Sequence, residues 1–103
     1  MPKTVKVGPH IYSVVRPSKK DAPDIVGDSD FDLMRIRVRH GVRKSKAQET
    51  LLHELLHATT YPSFTGAYEN EDKFTPEQII SAVAPVLLGV LQDNPKLLEY
   101  LTK

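Results

Sequence analysis

The amino-acid sequence predicts an α+β fold, in which a small N-terminal antiparallel sheet is followed by three helices. Two observations predict it: short segments of alternating apolar and polar residues occupy roughly the first 40 positions, and longer segments with helical apolar spacing follow. The chain has 103 residues, of which 40% are apolar, and this suffices for one modest hydrophobic core. We therefore expect residues 1–103 to form a single domain.

The first part of the chain contains three segments with strand character. Thr4–Val7 and His10–Val15 are separated by Gly8-Pro9, which is a turn signal. In Leu33–Arg39, apolar residues alternate with arginines, namely Met34, Ile36 and Val38 with Arg35, Arg37 and Arg39. This alternation places one face on the core and the other in solvent. We expect this strand at a sheet edge, where outward charges discourage unwanted pairing.

The first helix is predicted from a capping box. Ser45 and Gln48 have the spacing at which each side chain bonds to the backbone of the other residue. The helix is expected to run from about Lys46 to Thr59 or Thr60 and to end before Pro62, because a residue preceding proline avoids helical geometry.

Two further helices complete the predicted fold. Thr75 is followed by proline, glutamate and glutamine, a second start signal, and the helix after it should extend to about Gln92. Pro85 should kink this helix, because its ring removes one backbone hydrogen bond. Asn94 is expected to cap a short C-terminal helix from Pro95 to about Leu101.

Composition excludes several classes of site and protein. The chain lacks cysteine, which excludes disulfide scaffolds, cysteine-ligated zinc and thiol nucleophiles, so any metal must bind to His, Asp or Glu. The N-terminus lacks the apolar stretch of a signal peptide. The most apolar segment, Ile79–Leu91, has 13 residues, whereas a membrane span needs about 20. We expect neither secretion by that route nor a membrane partner.

The formal net charge of +1 conceals two blocks of opposite sign. Five aspartates and no basic residue occur from Asp21 to Asp32, whereas six lysines or arginines and no acid occur from Arg35 to Lys46. The blocks either face each other or flank a cleft, or they are two separate solvated surfaces. We do not interpret the basic block as a nucleic-acid interface.

The predicted first helix contains the motif His53-Glu54-Leu55-Leu56-His57. Residues four apart on a helix lie one turn above each other, so both imidazoles can reach a single ion. Glu54 is then placed to take a proton from a water bound to that ion. Both histidines lie outside the predicted apolar stripe of the helix, which contains Leu51, Leu52, Leu55 and Leu56.

Catalytic zinc commonly has three protein ligands, so a third residue must come from elsewhere in the chain. The downstream carboxylates are Glu69, Glu71, Asp72 and Glu77. We favour Glu77, because it opens the second helix and so has rigid support, with Glu71 as the reserve. Glu77 also suits a plain structural role, since a carboxylate in a first helical turn is stabilised by the helix dipole.

The pair of histidines, Glu54 and a glutamate 20 residues after His57 resemble the gluzincin zinc metallopeptidases. Residues from about Leu51 to Leu101 also resemble small metallopeptidases of tailed bacteriophages and their bacterial hosts, which are distantly similar to the ImmA/IrrE group. The resemblance implies a minimal zincin-like domain with one zinc ion held by His53, His57 and Glu77, and Glu54 as general base. It also implies an intracellular, cytoplasmic hydrolase in a bacterium or a phage-infected host cell.

The chain departs from the thermolysin type at two positions. Pro76 and Ser81 stand where that type has an asparagine and an aspartate flanking the third ligand. The group that orients His53 must therefore come from elsewhere in the chain. Asp28, Asp30 and Asp32 are the candidates, and the sequence does not choose among them.

The expected activity is hydrolysis of peptide bonds in a protein or peptide substrate. Tyr61 and Tyr68 are the candidate oxyanion stabilisers, with Tyr12 and His40 as further candidates. The strand Leu33–Arg39 is expected to form the cleft rim and to pair with an extended substrate. Its three arginines, Arg35, Arg37 and Arg39, would then favour acidic substrates, unless they serve only solubility and edge protection.

The alternative function is a non-catalytic regulatory or interaction module that keeps the zincin scaffold and binds a partner protein or nucleic acid. The short chain favours this alternative, because 103 residues leave little for specificity pockets. An intact Glu54 favours the enzyme, because a structural zinc site needs no general base. The protein is expected to be a monomer or a homodimer, since a small sheet leaves an exposed edge.

Overall fold

The structure, a computed structural model, describes residues 1–60 and 75–103. These residues form four strands and three helices, which confirms the predicted α+β class. The elements are β1 (Thr4–Val7), β2 (His10–Val15), β3 (Gly27–Asp30), β4 (Arg35–Val38), α1 (Lys44–Thr60), α2 (Pro76–Asp93) and α3 (Pro95–Thr102).

The strands form one mixed sheet in the order β1-β2-β4-β3. The pairs β1–β2 and β3–β4 are antiparallel, but β2 and β4 are parallel, so the prediction of a purely antiparallel sheet is wrong. The difference arises because the chain leaves β2, forms β3 at the far edge, and returns as β4 between the two. The prediction that β4 is an edge strand is therefore also wrong, since β4 is paired on both sides.

The edge strand β3 was not predicted from the sequence. Its residues, Gly-Asp-Ser-Asp, include no apolar side chain and are all weak strand formers. Pairing with β4 places Asp28 opposite Arg37 and Asp30 opposite Arg35. The carboxylate of Asp28 accepts hydrogen bonds from Arg37 Nε, at 2.7 Å, and from Arg37 Nη2. The acidic and basic blocks therefore do face each other, across two adjacent strands.

The hydrophobic core lies between one face of the sheet and the helices. The sheet contributes the inward residues of β1, β2 and β4, which are Val5, Val7, Tyr12, Val14, Ile36 and Val38. The helices contribute Ala47, Leu51, Leu55, Ala58, Val90 and Leu97. Because side chains alternate along a strand, Arg35 and Arg37 of β4 lie on the opposite sheet face, away from α1.

Helix α1 begins at Lys44, slightly earlier than predicted, and the predicted capping box at its start is absent. Ser45 lies inside the helix, and the side-chain amide of Gln48 instead donates to the Tyr100 carbonyl oxygen at 2.8 Å. A tertiary hydrogen bond to the end of α3 has therefore replaced the local one. Within the described chain, none of the helices combines the length and the hydrophobicity that crossing a membrane requires.

Helix α2 begins as predicted. The Thr75 hydroxyl accepts from the Gln78 backbone nitrogen at 3.2 Å, and the Gln78 side chain accepts from the Thr75 nitrogen at 2.9 Å. The helix continues through Pro85 to Asp93, and a kink at Pro85 stays a prediction.

Asn94 precedes α3, as predicted, but its side chain does not cap that helix. Its carboxamide instead accepts from the backbone nitrogen of Lys6 and donates to the Lys6 carbonyl oxygen, both at 2.9 Å. It also donates to the Val90 carbonyl oxygen at 2.7 Å. The side chain thus satisfies the outward backbone groups of Lys6 in the edge strand β1, where another strand would otherwise pair.

Replacing Asn94 with alanine is expected to lower the free energy of unfolding by about 1–3 kcal/mol, because the Lys6 and Val90 backbone groups lose their partners. Urea denaturation measures this change. The matched control is Gln92→Ala, at an exposed position at the end of α2, which should change the free energy by less than about 0.5 kcal/mol. Equal effects of the two variants would contradict this role for Asn94.

Candidate metal centre

His53 and His57 lie side by side on the flank of α1, as the helical spacing predicts. Their Nε2 atoms are 3.2 Å apart, and the two rings meet edge to face with centroids 4.8 Å apart. The His53 side chain is 65% exposed, so this nitrogen pair faces solvent and not the core. The prediction that the histidines lie outside the buried stripe of the helix is confirmed for His53, which is exposed, while His57 is half-buried.

The separation of the two nitrogens fits a shared zinc ion. Zinc lies about 2.0–2.1 Å from an imidazole nitrogen and prefers tetrahedral geometry, which puts two such nitrogens about 3.3 Å apart. The observed 3.2 Å between His53 Nε2 and His57 Nε2 matches that spacing without movement of the helix. Two neutral imidazoles that share a hydrogen bond can also have this spacing, so the fit supports a metal site through geometry alone.

Glu54 is buried although it is acidic, with only 7% of its surface exposed. It faces β3, where the hydroxyl of Ser29 donates to its Oε1 at 2.8 Å. Its other oxygen, Oε2, lies 3.9 Å from His53 Nε2. The carboxylate therefore lies between the edge strand and the histidine pair, the position that a base beside a metal site requires.

The close approach of β3 to α1 depends on Gly27. A Cβ atom at this position would lie 2.5 Å from Thr50 Cγ2 and 2.9 Å from the Arg37 carbonyl oxygen. Both distances are shorter than van der Waals contact, so only glycine fits here. Without a side chain at Gly27, the strand comes close enough for Ser29 to reach Glu54.

A groove of about 220 Å³ runs along the same side of the molecule, between the start of β3 and α1. Its lining consists of Val26, Gly27, Lys46, Glu49, Thr50, His53 and Glu54. The outer edge of β3 is unpaired within the described part of the chain, because β3 is the last strand of the sheet. An open strand edge, a groove, the histidine pair and a buried carboxylate thus occur together.

The third predicted ligand is not brought to the histidines. Glu77 lies exposed in the first turn of α2 and accepts a hydrogen bond from Ser81 Oγ at 3.2 Å. Among residues 1–60 and 75–103, no three His, Asp or Glu side chains form a group that could hold an ion. The reserve ligand Glu71, like Tyr61 and Tyr68, lies outside the described residues. The choice between Glu77 and Glu71 stays a prediction.

Two of the three aspartates proposed to orient His53 have other partners, and the third is exposed. Asp28 pairs with Arg37, and Asp30 accepts from the Leu33 backbone nitrogen at 2.9 Å. Asp32 is exposed in the turn between β3 and β4. Ser29 is the β3 residue that reaches the motif, and it contacts Glu54 instead of His53. One signal in the sequence could have indicated Ser29. Small and acidic residues alternate in β3, and they lie opposite the alternating apolar residues and arginines of β4.

The three arginines of the predicted rim are not among the residues that line the groove. Arg35 and Arg37 are on the sheet face away from α1, and Arg37 is occupied by Asp28. Arg39 follows β4 and donates to the Ile25 carbonyl oxygen at 3.3 Å. Of the other oxyanion candidates, Tyr12 is buried in the core and His40 is exposed beyond the end of β4.

The Asp28–Arg37 pair predicts an acid-dependent loss of stability. The hydrogen bond from Arg37 lowers the pKa of Asp28 below its ordinary value. The resulting stabilisation is fully present above the pKa of an unfolded aspartate and is lost as the pH falls through the lowered pKa. Urea denaturation at several pH values, from neutral to about pH 2, measures the free energy of unfolding. This free energy should fall more steeply with decreasing pH in wild type than in Asp28→Asn. Asp24→Asn, at an exposed position, is the control and should behave like wild type. The prediction would be contradicted if the free energy of unfolding of Asp28→Asn fell with pH as steeply as that of wild type.

Comparison of the chain with protein-family models, with curated proteins and with solved structures found no match in any of the three. Function is therefore inferred from the residues of this chain and from their arrangement.

Proposed function

We propose that this protein is a zincin-type, gluzincin-like zinc metallopeptidase that hydrolyses peptide bonds of a protein or peptide substrate. One observation carries the proposal: His53 Nε2 and His57 Nε2 are 3.2 Å apart, and Oε2 of the buried Glu54 lies 3.9 Å from His53 Nε2. Two imidazoles at zinc-ligand spacing and an adjacent carboxylate are the groups that metal-assisted hydrolysis requires.

The roles of the residues follow from their chemistry. His53 and His57 would hold the zinc ion, which when bound lowers the pKa of water and polarises a carbonyl group. Glu54 accepts a proton from the attacking water and returns it to the leaving nitrogen. Burial beside β3 suits this role, because it keeps competing water from the carboxylate. Glu77 stays the predicted third ligand, with Glu71 as the reserve, although among the described residues Glu77 does not form a group with the two histidines.

The substrate is an extended peptide that pairs with the outer edge of β3. The two edges of the sheet differ, because Asn94 occupies the backbone groups of Lys6 in β1 and Asp93 pairs with the Lys6 side chain at 3.6 Å. The edge of β3 borders the groove that contains His53 and Glu54. Strand addition there would lay a peptide bond beside the motif. We place this activity in the cytoplasm of a bacterium or a phage-infected cell, by resemblance, with the protein acting as a monomer or homodimer.

The proposal is tested by peptide cleavage with a defined metal state. A mixed pool of unstructured peptides is incubated with protein stripped by a chelator and with protein to which one equivalent of zinc has been restored, and products are identified by mass spectrometry. We expect cleavage only with zinc, its loss in His53→Ala, and its retention in His10→Ala, which removes an exposed histidine of β2 that has no role in the proposed site.

Two results would count against the enzyme. Cleavage that is unaffected by chelation would exclude zinc-dependent hydrolysis. Stoichiometric zinc binding without cleavage of any peptide in the pool would support the alternative, a non-catalytic module that keeps the metal site.

A further inference from the structure

The contact between β3 and α1 includes a side-chain hydrogen bond that the proposed reaction does not by itself require. Ser29 Oγ, on the edge strand, donates to Glu54 Oε1 at 2.8 Å. The two residues are 25 positions apart, so the contact exists only because the sheet packs on the helix. It joins the strand that would bind substrate to the carboxylate that would move the proton.

The two oxygens of Glu54 have different surroundings. Oε1 is bonded to Ser29, whereas Oε2 lies toward the histidine pair, 3.9 Å from His53 Nε2. A glutamate side chain has several rotatable bonds, and a buried carboxylate without a donor would be costly. The Ser29 hydroxyl, which is closer to Oε1 than to the Glu54 carbonyl oxygen at 3.3 Å, offsets part of that cost, while Oε2 stays on the side of the histidines.

The position of the hydroxyl is fixed by its strand. Ser29 lies opposite Ile36 in the register with β4, and Ile36 is fully buried in the core. Two residues earlier, the backbone at Gly27 lies so close to Thr50 that a Cβ atom would not fit between them. The strand therefore cannot move closer to α1, and its pairing with β4 restrains it from moving away.

We infer that Ser29 is a positioning residue, whose hydroxyl holds the Glu54 carboxylate with Oε2 directed to the reacting water. This inference rests on the proposed function. Small errors in the placement of a reacting group reduce the rate strongly. Affinity for an extended peptide depends instead on the backbone edge of β3, to which the side chain of Ser29 does not belong. Losing the hydroxyl should therefore lower kcat and leave KM unchanged.

The experiment compares Ser29→Ala, Ser29→Cys and Ser29→Thr with wild type, using a peptide that the zinc-loaded wild-type protein cleaves. The cleavage rate is divided by the concentration of bound zinc, so that unfolded protein does not lower the measured kcat. We expect kcat to fall about 10- to 100-fold in Ser29→Ala, with KM and zinc affinity within about twofold of wild type. Ser29→Cys, nearly isosteric but a weak donor, should fall similarly, and Ser29→Thr should restore most of the rate.

The matched control is Ser13→Ala, on β2 at a position that faces away from α1, which should leave kcat unchanged. Equal kcat in wild type and Ser29→Ala would overturn the inference alone. Equal losses in Ser29→Thr and Ser29→Ala would also overturn it, because the role would then be packing and not hydrogen bonding. Absence of cleavage by the zinc-loaded wild type would overturn the proposed function, and this inference with it.

Discussion

Glu54→Gln is expected to lower kcat for peptide cleavage by about 10²- to 10⁴-fold while zinc still binds. Glutamine has nearly the same shape and can still accept the hydrogen bond from Ser29 through its carbonyl oxygen, but its amide cannot take a proton. Steady-state cleavage of a peptide by the zinc-loaded variant measures the effect. Zinc content and urea denaturation show whether the site and the fold are intact.

The matched control for that substitution is Glu99→Gln, on the exposed surface of α3, where the carboxylate pairs with Lys103. Its kcat should equal that of wild type. Full activity in Glu54→Gln would mean that another group activates the water. Loss of zinc from the variant would instead mean that Glu54 is part of the metal site and not a base beside it.

Gly27→Ala is expected to destabilise the fold by about 1–3 kcal/mol, because the new methyl group has no space. It would lie 2.5 Å from Thr50 Cγ2 and 2.9 Å from the Arg37 carbonyl oxygen. The second of these atoms is backbone and cannot rotate away, so β3 must shift relative to α1 or β4. Urea denaturation measures the loss, and the same shift should separate Ser29 from Glu54 and lower peptide cleavage.

Gly89→Ala provides the control, because it makes the same change where nothing lies within 4 Å. Gly89 is inside α2, so alanine there should stabilise the protein by about 0.5–1 kcal/mol. If Gly27→Ala behaved like Gly89→Ala, β3 could not be packed on α1 as described, and the arrangement of Ser29 and Glu54 would be contradicted.

The sequence predicts the elements whose signals are local. The bounds of β1 and β2 agree with the prediction because apolar alternation between turn residues determines them. The start of α2 agrees because its capping box at Thr75 depends on adjacent residues only. Ser45 shows the limit of such signals, because Gln48 has a tertiary partner in α3 that competes with the local bond.

The position of β4 could not be predicted from its own residues. Alternating arginines are typical of an exposed edge, but Arg37 is paired with Asp28 of a strand that has no apolar residue. A strand without apolar residues, such as β3, has no hydrophobic periodicity, so from the sequence its neighbour β4 is interpreted as the edge strand.

In the candidate site, too, the features set by local geometry could be predicted, and those set by tertiary contacts could not. The exposure of His53 and the proximity of His57 follow from helical geometry and could be predicted. The burial of Glu54 could not, because it depends on β3. Leu52 and Leu56, predicted in the core, are more than one-third exposed, since α1 turns Thr50 and Glu54 toward the sheet instead.

The proposed activity depends on the binding of one zinc ion by His53 and His57. Zinc content of the purified protein, together with X-ray absorption at the zinc edge, tests it most directly in wild type and His57→Ala. We expect one zinc per chain, with imidazole nitrogens at about 2.0–2.1 Å from the ion, and loss of the zinc in His57→Ala. A wild-type protein without zinc after incubation with the ion, or equal zinc content in His57→Ala, would contradict it.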